Sequence, residues 1–138
     1  MYELAPNIDL LFAEAGECAA DRVREAAAAG FSAVEMWGPT GKDIPALQDA
    51  LQETGLKLTA QLAEPRTQFM IPPKNHAPFY AGLEEGAQVA LQLGCPRIVV
   101  GSGTGFGGRK RQEQLDELIE IYTKATELID GSGITLVL

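Results

Sequence analysis

The feature that most constrains this chain is a regular alternation. A short apolar run is followed each time by a stretch long enough for an amphipathic helix, and glycine stops that stretch before the next run begins. Leu4 to Ile8 reads as a first strand that opens into a loop through Asp9, Leu10, Leu11 and Phe12. Glu17 to Ala29 follows as an alanine-rich helix halted at Gly30. Phe31 to Trp37 is a second strand, and Asp43 caps a second helix with Pro45 in its first turn, Leu47 and Leu51 one turn apart, and Gly55 at its end. Lys57 to Ala63 is a third strand, and the long loop Glu64 to Asn75 is kept from helix by its prolines. Asn75 caps a third helix that runs through Leu93, and Arg97 to Val100 is a fourth strand. A glycine-rich loop leads to a fourth helix, Lys110 to Ile129, with Leu115, Leu118, Ile119, Tyr122 and Ala125 on its apolar face. Ile134 to Leu138 is a fifth strand.

Each strand thus has its own crossover helix, in units of about 25 to 40 residues, which is the spacing of parallel strands. Runs such as IVV and ITLVL are apolar without alternation, as in strands covered on both faces. Two α/β architectures have this order: a doubly wound open sheet, or half of an eightfold (β/α)8 barrel. The barrel is the expectation, with residues 1–138 forming a single half-barrel unit from the first strand to the fifth, truncated relative to a full barrel. A formal charge of -8 argues against nucleic-acid and anionic-membrane partners, which need a positive field, and favours a small-molecule ligand. No stretch approaches the roughly 20 apolar residues of a membrane span, and the start lacks a basic segment followed by an apolar run, so a cytoplasmic location is expected. Cys18 and Cys95 stand far apart without a CxxC, which points to neither a disulfide framework nor a zinc site.

Three segments carry a resemblance to a known family: Asn7 to Phe12 with Glu14 after the first strand, Ala29 to Glu35 leading into the second, and Leu93-Gly94-Cys95 before the fourth. They resemble the xylose isomerase-like TIM barrels, the superfamily that includes AP endonuclease family 2, and within it the hydroxypyruvate isomerases. The resemblance covers nearly all of this chain and half of the barrel. It implies isomerisation of a hydroxy-carbonyl compound, with glutamates of the fifth and eighth strands moving a proton through an enediolate while a divalent metal (Mg, Mn or Zn) polarises the oxygens. The first of those glutamates would directly follow Leu138, so neither the catalytic metal nor turnover is expected of these residues by themselves. Related readings are a sugar epimerase, an AP endonuclease-like repair enzyme, or a non-catalytic half-barrel that self-associates through its open sheet edge. A trinuclear zinc centre of the repair type calls for several histidines, and the chain has one.

Barrel sites are assembled at the carboxyl ends of strands, and the polar residues there are the substrate-binding candidates. Asn7 ends the first strand. Glu35 lies in the second and needs a partner, and Trp37 shares its face two residues on. Gln61 belongs to the third strand, and His76 stands at the start of the third helix. Ser102 lies in the glycine-rich loop, whose Gly103 to Gly108 matches GxGxxG, a weak dinucleotide signal because no acid ends the next strand. Arg109, with Lys110 and Arg111, brings positive charge to that loop for an anionic substrate group. The acids of the fourth helix, Glu113, Asp116, Glu117 and Glu120, read as a solvated face.

Overall fold

The computed structural model describes residues 4–64, 75–101 and 107–138. Its sheet has four strands, β1 (Ala33–Met36), β2 (Lys57–Leu62), β3 (Arg97–Val99) and β4 (Thr135–Val137), hydrogen-bonded in that order. All three pairings are parallel. The helices are α1 (Ala19–Ala28), α2 (Ile44–Thr54), α3 (Ala77–Gln92) and α4 (Arg111–Leu128), with a 3-10 turn at Ala13–Ala15 before α1.

Sequential order decides between the two expected architectures. A doubly wound sheet reverses its strand order at a switch point, whereas a barrel adds each new strand beside the last. Here no reversal occurs, and the first segment extends the same order, because Ile8 donates its N–H to the Glu35 carbonyl (3.0 Å) and Glu35 donates to the Pro6 carbonyl (3.0 Å). The described residues are therefore a parallel half-barrel.

The first strand is shorter than expected. Leu4 to Ile8 contributes one parallel bridge, Asn7 to Glu35, because Pro6 has no N–H to give and the chain turns at once, with the amides of Leu10 and Leu11 both donating to the Asn7 carbonyl. The third helix begins at Ala77 with His76, not Asn75, in the capping position, and His76 makes no side-chain cap. Asp43 does cap α2, accepting the Ala46 amide at 3.0 Å, and Gly55 ends it at φ 72°, a left-handed conformation that costs glycine little.

The core lies between the sheet and the helix layer. Val23, Ala26, Leu47, Ala50, Val34, Met36, Leu83 and Ile98 are wholly buried there. Two expectations hold only in part at the far edge. The inward side of α4 is Leu118, Ile121, Tyr122 and Ala125, so three of the five expected apolar positions pack on the core, while Leu115 and Ile119 are exposed. Likewise β4 is less covered than its apolar run suggests: Thr135 and Val137 are exposed and Leu136 is half-buried.

Candidate functional site

Parallel strands bring all their carboxyl ends to one side of the sheet, and two polar clusters stand there. The first joins the opening segment to β1. The Asn7 side-chain amide donates to Glu35 Oε1 at 3.1 Å, and its oxygen accepts the Asp9 amide at 2.9 Å. Asp9 then accepts the Trp37 amide on Oδ2 at 2.6 Å and the Lys42 ammonium on Oδ1 at 2.8 Å. Lys42 also donates to the Gly38 carbonyl at 2.8 Å. From α1, Arg22 donates to the carbonyls of Ile8 (3.0 Å) and Gly16 (2.7 Å), so side chains hold a segment that strand pairing alone would hold poorly. Beside this cluster Glu64, which follows β2, accepts the Thr40 amide at 2.9 Å. Its side chain passes so close to Gly38 that a Cβ there would lie 2.1 Å from Glu64 Cδ.

The second cluster stands beyond β3, between α3 and α4. Glu117 meets His76 Nε2 through Oε1 at 3.0 Å and accepts Arg109 Nη1 on Oε2 at 2.5 Å. Tyr80 sets its ring edge-on to His76, with centroids 6.3 Å apart, and burial, followed by the charge of Glu120, raises its hydroxyl above the usual range. Tyr122 donates to the Gly101 carbonyl, just past β3, and burial pushes its hydroxyl up to about 12.

Of the sequence candidates, Asn7, Glu35 and Trp37 come together at the first cluster, and His76 and Arg109 at the second. Gln61 joins neither. It is fully buried in β2, and its side-chain amide donates to the Gly86 carbonyl of α3 at 3.0 Å, so it faces the helix layer. Ser102 lies outside the described residues, as does most of the GxGxxG segment. Asp9, Lys42 and Glu64 were missed, although Asp9 follows Asn7 by two residues at a turn, a spacing at which a side chain commonly caps a backbone amide. Glu117 is a correction. Its side chain is 15% exposed and doubly paired, so it is no part of a solvated face.

Chemically, the first cluster offers carboxylate acceptors with amide and ammonium donors, a set suited to hydroxyl groups. The second offers a guanidinium whose remaining N–H groups suit an anion. Among the described residues no three of His, Cys, Asp or Glu come together as a metal would require.

Comparison with known proteins agrees with the half-barrel fold. The family model of xylose isomerase-like TIM barrels matches residues 23–138. This chain belongs to that family. Among relatives of the xylose isomerase-like barrel, a "Putative hydroxypyruvate isomerase" of Streptomyces coelicolor is 31% identical over 94% of this chain and 51% of its own length. A human protein of the same description is 37% identical over 70% of this chain and 37% of its own. The chain thus spans about half or less of the curated relatives it matches. Two solved barrels share the fold: AP endonuclease, family 2, from Brucella melitensis (TM-score 0.83, 23% identity, 99% of this chain and 54% of that one), and the 3-keto-D-glucoside 4-epimerase YcjR from E. coli (TM-score 0.80, 15% identity, 100% and 56%). No helix among the described residues is long and apolar enough to cross a membrane.

Proposed function

We propose that these residues form the amino-terminal half of a hydroxy-acid isomerase that interconverts hydroxypyruvate and tartronate semialdehyde by proton transfer through an enediolate. The observation that carries this reading is the relatives' description as hydroxypyruvate isomerases at 31% and 37% identity. In this reading the first cluster, with Asn7, Glu35 and Trp37, holds the hydroxyl end of the substrate, and Arg109 with His76 serves its carboxylate. Ser102 is a further contact of the same kind. The Glu35 carboxylate, oriented by Asn7, accepts a hydroxyl proton in a hydrogen bond and so fixes the rotation of that carbon. Gln61 acts only through α3. A divalent metal would polarise the substrate oxygens in the whole barrel. The described residues do not assemble a ligand set for one.

The test is a coupled isomerase assay on hydroxypyruvate with magnesium or manganese, comparing this chain with a version extended through a complete barrel. Turnover in the extended protein alone supports the proposal; no turnover in either, with both folded, sinks it. A second reading, a half-barrel that associates with another copy, is favoured by the exposure of Val137 (36%) and Leu138 (76%) at the open edge. Sedimentation of a stable monomer at high concentration would remove it.

A further inference from the structure

One side of α4 runs Glu117, Ile121, Ala125, a residue per turn. Ile121 and Ala125 are buried and apolar, whereas the third member of the stripe is a carboxylate. A carboxylate largely removed from water is costly unless its oxygens are satisfied. Both oxygens of Glu117 are satisfied, by groups from two different connections: His76 immediately precedes α3, and Arg109 stands two residues before α4. Gln114 holds the same arginine from behind, donating its side-chain amide to the Arg109 carbonyl at 3.2 Å. A guanidinium has five N–H donors in a planar fork, so an arginine anchored through one nitrogen keeps donors for a ligand and loses less rotamer freedom when it binds.

We propose that Glu117 is a positioning residue: it holds the Arg109 guanidinium, with His76 as the second clamp, in the orientation that receives the carboxylate of the substrate. This rests on the reading that a small hydroxy acid binds at this end of the sheet. Beside the clamp, Tyr80 of α3 stands edge-on to His76 and feels the charge of Glu120 of α4.

The experiment titrates hydroxypyruvate into the isotopically labelled chain and follows the Arg109 side-chain N–H and the imidazole of His76, the single histidine of the sequence. In the unmodified chain both signals move on binding. Glu117→Gln shifts the imidazole signal before any ligand is added and weakens hydroxypyruvate about tenfold, the scale of one charge-assisted hydrogen bond. Glu113→Gln, an exposed acid of the same helix, changes neither, and Glu117→Gln adds no further loss once Arg109 is alanine. Should Glu117→Gln fail to fold, Arg109→Lys keeps the charge without the fork and shows a similar loss. Undiminished binding in Glu117→Gln or Arg109→Lys, additive losses in the double variant, or no binding by the unmodified chain overturns the proposal. Binding that depends on Glu117, in a complete barrel that does not turn hydroxypyruvate over, would instead sink the isomerase reading and leave the positioning role standing.

Discussion

On the β1 side, α1 and α2 press Val23, Ala26, Leu47 and Ala50 entirely out of solvent. On the β4 side, α4 buries Ile121 and Ala125 but leaves Ile119 64% exposed, and among the described residues β4 pairs with β3 alone. The polar clusters follow the same division. Near β1 the side-chain pairs Asn7–Glu35 and Asp9–Lys42 are also tied to backbone: Asp9 to the Trp37 amide, Lys42 to the Gly38 carbonyl, Arg22 to the Ile8 carbonyl. Beyond β3 a carboxylate, a guanidinium and an imidazole hang on one another. The first cluster is thus anchored largely on the backbone of the opening segment and β1, and the second on contacts among the side chains of α3, α4 and the residue pair before them.

The sharpest challenge to this contrast is Leu47→Ala. It opens a cavity in the packed half and is expected to cost about 2–5 kcal/mol in denaturant unfolding; a loss under ~1 kcal/mol would show that half to be no better packed than the other. Alkaline melting probes the β3 side. Burial lifts the Tyr122 hydroxyl from 10.0 to about 12, so the folded form resists its ionisation; this contribution is full below pH 10 and lost as pH rises through about 12. Tyr122→Phe should melt with a flatter pH dependence over that window, and equal slopes would place the hydroxyl in solvent. Asp43→Ala removes the α2 cap and should cost about 1 kcal/mol. Ile119→Ala should cost no more than about 0.5 kcal/mol, and a core-sized loss would mean that another surface covers this side chain.

The same division governs what could be read from the chain. Asp43 and Gly55 were legible because caps and left-handed stops are local chemistry, and the alternation of runs carried the parallel order of the sheet. Glu117 was hidden by its company: among Glu113, Asp116 and Glu120 it reads as one more surface acid, and its partner His76 is 41 residues away in sequence. The face of α4 was legible at Leu118, Tyr122 and Ala125 and misjudged at its edge for a related reason. Leu115 and Ile119 are apolar at helical spacing, but periodicity cannot say whether a neighbour stands on that side. Gln61 sits in the expected strand yet faces α3, because its side was set by a bulge: Val34 pairs with Leu58 and Met36 with Gln61, so β2 carries one residue more than β1 in that interval.

The bond from Gln61 to Gly86 reaches beyond the pair it joins. Apolar contacts between a helix and a sheet tolerate sliding, since one methyl group can replace another, but a directional bond has a single seat. Gly86 lies ten residues into α3 and His76 just ahead of its first turn, a span of about 15 Å along the axis. The buried amide is thus the fixed end of a ruler, and the height at which His76 stands above the sheet is measured from it.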